Sequence, residues 1–340
     1  MNSMGVFFID PRRLVDLCDI IVSAILLLIE ENSMFIPKVR RLALLMLLCL
    51  LTTCTTARAG VIRHDKLDSQ YTALASNPAF NSVGDLTTST MRCSATLIAP
   101  GWVLTAAHCF DGGEAATNYT FDLSDTGGGV HTALEAYLYP TYTTFDDSLT
   151  RGDDIALLRL ATLETNVTAA VLNTSSSEIS NIATYVGYGN TGTGTGGYVD
   201  GTSGTRRAGN NFIDITGSAI GFSSNLVFSD FDNPDGGEPV NLGDANPLDL
   251  EYNIAPGDSG GAMFIDFGSG YVLSGVNSLI ASADGTSDAD YGDLSGATRV
   301  SAYYDWILST TGATVPEPSS FAVTLAVCLV VSLRRRQSKS

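Results

Sequence analysis

The middle of the chain carries short runs of hydrophobic residues, and turn-forming Gly, Asn, Asp and Pro separate them. The clearest of these runs are Ser94–Ile98, Trp102–Thr105, Ile155–Leu160, Ala183–Val186 and Tyr271–Val276. Runs of this length between turn residues are typical of β-strands in a barrel or a sandwich. Because long helical periodicity is absent, the pattern predicts an all-β domain.

Helical spacing occurs in only two short segments. We predict helices near Ser69–Ala75 and over Ser301–Ser309, where Tyr303, Trp306 and Ile307 share one helical face. Gly189–Gly209 is dominated by Gly and Thr, which predicts a long mobile loop. This loop lacks the strand–helix context of a phosphate-binding loop, so no nucleotide site is predicted.

Residues 34–59 have the pattern of a signal peptide. Basic residues at 38, 40 and 41 precede the apolar run Leu42–Leu51, and Ala57-Arg58-Ala59 follows. This order predicts export and cleavage that leaves Gly60 as the new N-terminus. A lipoprotein signal ending at Cys54 is an alternative, although the Thr before that cysteine fits poorly.

Residues 1–33 precede this signal and contain a further apolar stretch, Ile20–Ile29. We interpret them as an upstream extension, with translation beginning at Met34. An additional membrane anchor is the alternative.

The C-terminal residues 313–340 contain three features in a fixed order. Val315-Pro316-Glu317-Pro318 precedes an apolar run over residues 321–333, and three arginines follow it. The segment resembles the bacterial PEP-CTERM sorting signal, which implies processing by a sorting enzyme during export. The run is shorter than the roughly 20 residues of a spanning helix, which favours transient membrane contact over a permanent anchor. An ordinary C-terminal transmembrane helix remains the alternative.

The predicted domain between these signals is strongly acidic. Residues 60–315 hold 8 of the 18 basic and 30 of the 36 acidic residues, which gives this part a formal charge of −22. Such a surface repels phosphate backbones and anionic lipid, so nucleic acid is not an expected partner. Solubility, salt tolerance or a basic substrate can account for the charge.

The six cysteines do not form a framework when they are sorted by position. Four of them lie in the leader or the tail: Cys18, Cys49, Cys54 and Cys328. Cys93 and Cys109 are the pair within the predicted domain, and such a pair in an exported protein usually forms one disulfide. No set of Cys or His residues has metal-ligand spacing, so no metal site is predicted.

Gly257-Asp258-Ser259-Gly260-Gly261 is the candidate nucleophile segment. Serine needs a base that takes its proton, and the base needs a carboxylate that orients it. The segment also fits the nucleophile elbow of α/β-hydrolases, but that fold places its histidine after the serine. All three histidines, His64, His108 and His131, precede Ser259, which excludes that fold.

Leu104-Thr105-Ala106-Ala107-His108-Cys109 and the serine segment resemble the two catalytic motifs of the chymotrypsin/trypsin family. Asp153-Asp154-Ile155-Ala156-Leu157-Leu158 is similar to the family's aspartate motif and aligns Asp154 with the catalytic acid. The order His, Asp, Ser is also the family's order. The 16-residue separation of Cys93 and Cys109 matches the family's disulfide at the histidine loop.

This resemblance implies two packed, six-stranded antiparallel β-barrels and a short C-terminal helix over residues 60–312. It implies that Ser259 is the nucleophile, His108 the general base and Asp154 the orienting acid. The N–H groups of Gly257 and Ser259 would form the oxyanion hole. Ser278 would support Asp154 and pair with substrate through its backbone. The two other histidines are expected to be non-catalytic.

The chain departs from the family at the substrate pocket. Asn253 occupies the pocket floor, where an aspartate selects Arg or Lys, and a neutral amide cannot neutralise a buried cation. Leu279 and Ile280 replace the family's frequent Trp and Gly, and the branched Ile280 would narrow the pocket entrance. We therefore predict small or modest apolar substrate side chains.

The mode of activation is a second departure. In the family a newly formed terminal amine pairs with the aspartate before the nucleophile, which is Asp258 here. No basic propeptide site precedes the domain, so the amine of Gly60 would serve after signal cleavage. The alternative is that another group holds Asp258.

The sequence thus predicts a secreted or cell-surface serine endopeptidase that acts on proteins or peptides without a cofactor. A binding or surface-matrix protein that kept the fold and lost turnover is the alternative.

Overall fold

The computed structural model describes residues 60–237, 242–243, 246–282 and 284–312. In these ranges the strands, numbered along the chain, are β1 Gly60–Ile62, β2 Val83–Thr87, β3 Arg92–Ala99, β4 Trp102–Thr105, β5 Thr120–Asp122, β6 Val130–Leu138, β7 Ala156–Leu160, β8 Ile182–Gly187, β9 Thr191–Thr193, β10 Gly197–Val199, β11 Arg207–Phe212, β12 Ile215–Thr216, β13 Leu226–Asp230, β14 Tyr252–Asn253, β15 Ala262–Asp266, β16 Tyr271–Ala281 and β17 Leu294–Arg299. The α-helices are α1 Asp68–Ala75, α2 Phe145–Arg151 and α3 Tyr304–Thr311. Short 3-10 helices cover Pro78–Phe80, Ala107–Phe110, Ala116–Asn118, Ser124–Thr126, Gly217–Ile220 and Val300–Tyr303.

The first half of the domain is a closed barrel with strand order β2-β3-β4-β7-β6-β5. All neighbouring strands run antiparallel, as in the pairing of Val103 with Leu158 and of Leu86 with Cys93. Nearly all residues of β3, β4 and β7 are buried. Their apolar side chains belong to the main hydrophobic core. The hydrophobic runs therefore predicted these strands correctly.

The second half is an open, seven-stranded antiparallel sheet with the order β11-β8-β15-β16-β17-β13-β12. The predicted all-β fold of the chymotrypsin type is confirmed, and this half is a half-barrel of seven strands where six were expected. One buried cluster joins the halves, since Val276 and Ile307 belong to the same core as Leu104 and Leu157. The C-terminal helix α3 thus packs on the shared core, as predicted.

A small four-stranded sheet, β10-β9-β1-β14, corrects the prediction of a loop over Gly189–Gly209. Within this segment β9 and β10 form a hairpin, and β9 pairs in parallel with β1, aligning Gly60 with Thr191. On its other side β1 pairs with β14, where Val61 lies opposite Asn253. The Gly- and Thr-rich segment is ordered by this distant partner, which its local composition does not reveal.

Helix α2 was not predicted, although its end signals are clear. Asp147 N–H donates to the Thr144 hydroxyl at 3.3 Å, which caps the first turn, and Arg151 lies in the last turn. Gly152 ends the helix with φ 69°, and a side chain at this position would overlap Ser223. This tight exit leads the chain directly to Asp154.

The signal-peptide residues 34–59, the upstream residues 1–33 and the tail at 313–340 lie outside the described residues. Among the helices that are described, none is long and apolar enough to cross a membrane.

Candidate active site

His108 lies on the 3-10 helix that follows β4. Its Nδ1 is 2.7 Å from Oδ2 of Asp154, and its backbone N–H donates to Oδ1 of the same carboxylate at 2.9 Å. Because the carboxylate only accepts, Nδ1 carries the proton and Nε2 is left as the basic nitrogen. The ring also packs edge-on against Phe145, with 4.9 Å between ring centroids.

Asp154 is buried between the two halves of the domain and has several donors. The Ser278 hydroxyl donates to its Oδ2 at 2.5 Å, and the Thr298 hydroxyl donates to its carbonyl at 3.1 Å. The neighbouring Asp153 instead accepts a hydrogen bond from Arg151 at 2.8 Å. Of the two adjacent aspartates, Asp154 is thus the one beside His108.

A β-bulge explains how Ser278 reaches Asp154. In the pairing of β16 with β17, Asn277 lies opposite Ala297 and Leu279 lies opposite Gly296, so Ser278 is the extra residue. Bulges commonly redirect a side chain beside an active site. Here the bulge turns the hydroxyl towards Asp154.

The electrostatics of the pair favour a charged carboxylate and a basic imidazole. Burial would raise the pKa of Asp154, but the charge and hydrogen bond of His108 and the Ser278 hydroxyl outweigh it and lower that pKa. Burial would likewise lower the pKa of His108, but the Asp154 charge and hydrogen bond raise it above its ordinary value. His108 is therefore a stronger base than a free histidine.

Ser259 lies in the turn between β14 and β15, against the disulfide that follows His108. Its carbonyl accepts a hydrogen bond from the Ser94 N–H at 2.8 Å and lies 3.9 Å from Sγ of Cys109. Cys93 and Cys109 are joined, with their Cα atoms 6.4 Å apart, which confirms the predicted disulfide. The covalent link thus connects β3, the histidine helix and the backbone of Ser259.

Two backbone N–H groups of the serine turn are not used in hydrogen bonds within the described residues. The N–H groups of Asp258, Gly260 and Gly261 bind internal carbonyls at 2.7 to 2.9 Å. For the N–H groups of Gly257 and Ser259 the described residues provide no acceptor. Both residues are half-buried, so these two donors are available to an incoming oxygen.

Glycine is required at position 260 for two reasons. Its φ is 81°, which side chains rarely adopt, and a Cβ would lie 2.0 Å from the Thr105 hydroxyl. The turn can therefore approach β4 closely only because this residue has no side chain.

The predicted pocket residues occupy two environments. Asn253 is fully buried, its amide nitrogen lies 3.4 Å from the Asp293 carbonyl, and its amide oxygen accepts a hydrogen bond from Ser295. Leu279 and Ile280 instead line an apolar groove of about 460 Å³. The other residues of that groove are Phe145, Leu149, Ile220, Phe222, Leu242, Ala281, Ser282 and Leu294.

The remaining predicted residues can be placed as well. Gly60 lies in β1 against the ring of Tyr252, and Asp258 is fully buried beneath Ser259. His131 is bound to Glu164 at 3.0 Å, and His64 is bound to the Tyr291 hydroxyl at 2.9 Å. Within the part of the chain that the structure describes, neither histidine forms a hydrogen bond or an ion pair with the Gly257–Ser259 turn.

Sequence reasoning missed two hydroxyl residues at this site, Ser94 and Tyr252. Both contact the Gly257–Ser259 turn. No spacing signal could have found them, because their partners are set by the packing of distant strands. Phe145 was missed too, since the helix that carries it was not predicted.

A cluster of three aspartates lies in the loop before β17. The carboxylates of Asp288, Asp290 and Asp293 approach within 4.8 Å of one another. Burial, followed by the charges of Asp288 and Asp293, raises the pKa of Asp290 to about 6. Exposed acidic groups are common without a bound ion, so this group alone assigns no function.

Comparisons with known proteins agree with this geometry. The family model described as Trypsin matches residues 74–220, a range that includes His108 and Asp154 and ends before Ser259. Neuropsin, a serine protease expressed in the limbic system of mouse brain, has a similar fold, with a TM-score of 0.51 and 18% identity over 69% of this chain and 96% of that one. No curated protein matches the chain in sequence. The family match covers less than half of the chain, and the likeness at 18% identity shows the fold, which is that of chymotrypsin-type serine proteases.

Proposed function

We propose that the protein is a secreted serine endopeptidase in which Ser259 is the nucleophile, His108 the general base and Asp154 the acid that orients the histidine. The observation that carries the proposal is the 2.7 Å contact between His108 Nδ1 and Asp154 Oδ2, next to a serine turn with two unengaged N–H groups.

The proposed reaction proceeds through an acyl-enzyme. His108 Nε2 takes the proton of the Ser259 hydroxyl while the serine oxygen attacks the peptide carbonyl. The N–H groups of Gly257 and Ser259 bind the resulting oxyanion. The imidazolium then gives its proton to the leaving amine as the C–N bond breaks. In the second half of the reaction His108 takes a proton from a water molecule, whose oxygen attacks the ester carbonyl of the acyl-enzyme. The bond between this carbonyl carbon and the Ser259 oxygen then breaks, the imidazolium returns the proton to the serine oxygen, and the carboxylic acid product leaves.

Substrate preference is proposed to be apolar and not directed at Arg or Lys. The side-chain amide of Asn253 is uncharged, its nitrogen donates to the Asp293 carbonyl, and its oxygen accepts from the Ser295 hydroxyl. The groove beside His108 is lined by Phe145, Leu149 and Leu279, which favours apolar residues of the substrate. All residues that line this groove are uncharged, so the acidic residues of the domain do not form part of it.

A fluorophosphonate probe tests the function directly, because only an activated serine reacts with it. We expect labelling of Ser259 in the wild-type chain and none in Ser259→Ala. Ser259→Ala and His108→Ala should each lower turnover on the order of 10⁶-fold, as in triads that act as a unit. Near-full activity of Ser259→Ala would reject the assignment, and an unlabelled wild-type protein would favour the alternative of a binding protein.

The groove can be tested separately from the chemistry. Leu149→Asp should lower kcat/KM for peptides with apolar residues and should leave hydrolysis of p-nitrophenyl acetate unchanged, since that ester is too small to reach the groove. Equal effects on both substrates would show that the variant disturbs the catalytic residues. A peptide-library cleavage profile would then give the preferred residues.

Export and processing are proposed from the sequence at both ends. Signal peptidase would cut after Ala59, and a sorting enzyme would act on residues 313–340, whose apolar run at 321–333 would contact the membrane. Terminal sequencing and intact mass of the exported protein test both cuts. An unprocessed chain retained in the cytoplasm would contradict them.

A further inference from the structure

Asp258, the residue before the proposed nucleophile, is fully buried, and neutral donors surround its carboxylate. Oδ1 accepts the Gly189 N–H at 2.8 Å, and Oδ2 accepts the Ala255 N–H at 2.9 Å and the Tyr252 hydroxyl at 3.0 Å. Among the described residues no Lys, Arg or His nitrogen forms a salt bridge with it. The three neutral donors contribute most of the stabilisation of this buried carboxylate, and the charge of Arg207 adds a smaller effect.

The side chain of Tyr252 is fixed where it can reach Asp258. It is fully buried, and its ring fits between two glycines that have no side chain to obstruct it. A Cβ at Gly60 would lie 1.9 Å from the Tyr252 hydroxyl, and a Cβ at Gly209 would lie 2.2 Å from Cβ of Tyr252. The hydroxyl is therefore in contact with Gly60 on one side and with Asp258 on the other.

Ser94 binds the residues on both sides of Asp258. Its hydroxyl donates to the Gly257 carbonyl at 2.9 Å and accepts the Tyr188 N–H at 2.9 Å. Its backbone N–H donates to the Ser259 carbonyl at 2.8 Å. Ser94 is itself fully buried in β3, so it ties the turn to the rigid barrel.

We propose that Tyr252 and Ser94 are positioning residues that hold the Gly257–Ser259 turn in its oxyanion-binding conformation, so that the turn does not require a chain-terminal amine paired with Asp258. The inference rests on the function proposed above. It selects the second of the two activation modes considered from the sequence, in which a group other than the Gly60 amine holds Asp258.

The ionisation of the two side chains is consistent with this role. Burial raises the pKa of Asp258 to about 6, against the lowering effect of its hydrogen-bond donors, so the carboxylate is charged at neutral pH. Burial and the Asp258 charge raise the pKa of Tyr252 well above its ordinary value, so its hydroxyl keeps the proton that it donates.

The test compares Tyr252→Phe and Ser94→Ala with two controls that lose a buried hydroxyl elsewhere. Tyr185→Phe removes a hydroxyl bound to Ser229 at 3.0 Å, and Ser274→Ala removes one bound to the Val272 carbonyl at 3.3 Å. The measurements are kcat and KM for p-nitrophenyl acetate, the rate of fluorophosphonate labelling, and the affinity for phenylboronic acid. The boron adduct of phenylboronic acid places an oxygen in the oxyanion hole.

We expect kcat, the labelling rate and the boronic acid affinity to fall together by roughly 10- to 100-fold in Tyr252→Phe and Ser94→Ala, the factor for losing a hydrogen bond to a charged or oriented group. KM should stay within about twofold, because ground-state binding does not use the oxyanion hole. The controls should match the wild type. If Tyr252 and Ser94 had only a structural role, their variants would yield less folded protein, and kcat of the folded fraction would equal that of the wild type.

A third variant tests the terminal amine by inserting two glutamines between Ala59 and Gly60, which creates no second A-x-A site, so that cleavage after Ala59 leaves a longer N-terminus. Its activity should equal that of the wild type. A large loss in the insertion, or control-like behaviour of both Tyr252→Phe and Ser94→Ala, overturns the proposal. If Tyr252→Phe does not fold, Ser94→Ala and the insertion decide. Failure of the wild type to react at Ser259 would reject the proposed function instead.

Discussion

The two halves of the site are held by different kinds of interaction. On the barrel side, His108 is fixed by an ionised partner, Asp154, and by the disulfide at Cys109. On the sheet side, the serine turn is fixed by neutral hydrogen bonds that converge on Asp258. Burial acts to raise the pKa of both carboxylates. For Asp154 the interaction with His108 outweighs burial and the pKa is lowered, whereas the pKa of Asp258 stays raised, at about 6.

This difference fits the roles that the two halves have in the proposed reaction. The barrel side must accommodate a positive imidazolium during the reaction, so a permanently charged acid is useful there. The sheet side must keep peptide groups aimed at a developing oxyanion, which needs fixed geometry more than charge. The two halves should therefore respond differently to removal of charge and to pH.

The largest expected effect is that of Asp154→Asn, which breaks the charged half. The amide favours the wrong imidazole tautomer and no longer stabilises the imidazolium, so kcat should fall by about 10⁴-fold. Steady-state hydrolysis of p-nitrophenyl acetate and circular dichroism measure activity and fold. The matched control is Asp153→Asn, which removes an adjacent buried carboxylate bound to Arg151. Equal losses of activity in the two folded variants would contradict the assignment of Asp154.

The second prediction concerns pH and the free energy of unfolding. The folded pKa of Asp258, about 6, is above its ordinary value of 3.8. Stability from the bound proton is therefore fully present below that ordinary value and is lost as the pH rises through 6. The loss amounts to about 3 kcal/mol, from the size of the pKa difference. Relative to Asp258→Asn, the wild type should lose this amount between pH 4 and 7 in urea denaturation.

Asp154 provides the opposite sign for the same experiment. Its pKa is lowered on folding, so its contribution is present above its ordinary pKa and is lost as the pH falls through the folded value. Relative to Asp154→Asn, the wild type should therefore lose stability as the pH falls below 3.8, the ordinary pKa of an aspartate. Because Asp154 also raises the pKa of His108, a second loss should follow as the pH rises through the pKa of His108. A gain of stability relative to Asp154→Asn as the pH falls below 3.8 would contradict the contrast between the halves.

The third prediction concerns the covalent part of the barrel side. The Cys93→Ala/Cys109→Ala variant opens a loop of 16 residues. Its free energy of unfolding should fall by about 3 kcal/mol, and activity should fall further because Cys109 directly follows His108. Chemical denaturation and kinetics measure the two effects. Unchanged stability, or free thiols in the non-reduced wild-type protein, would be the contrary result.

Local patterns predicted the barrel side well, because its parts are close in sequence. Hydrophobic runs gave β3, β4 and β7, and the His108 and Asp154 motifs follow or precede these strands directly. Ser278 was assigned its support of Asp154 from the resemblance alone. The contact itself joins residues 124 positions apart and depends on a bulge that no local signal marks.

The sheet side was harder to predict for the same physical reason. Ser94 binds the Gly257 carbonyl across 163 residues, and the β9–β10 hairpin joins the sheet through the parallel pairing of β9 with the distant β1. The many glycines of this segment lower its local preference for a strand, and tertiary pairing overrides that preference. The resemblance implied six strands in this half, whereas the sheet has seven, with β11 and β12 at its two edges.

The smallest expected effect is that of Ser278→Ala, which sharpens the comparison within the charged half. The Ser278 hydroxyl withdraws negative charge from Asp154, so its loss should strengthen the attraction between Asp154 and the His108 imidazolium. The pKa of His108, already raised, should rise further, and the acid limb of kcat/KM should move to higher pH because the base must be neutral. On the high-pH plateau kcat should fall by roughly tenfold, since Asp154 loses one hydrogen bond that fixes it. A pH profile from 5 to 9 measures both effects, with Ser274→Ala as the control on the same strand. A shift of the acid limb to lower pH would mean that Ser278 acts on His108 in some way other than through Asp154.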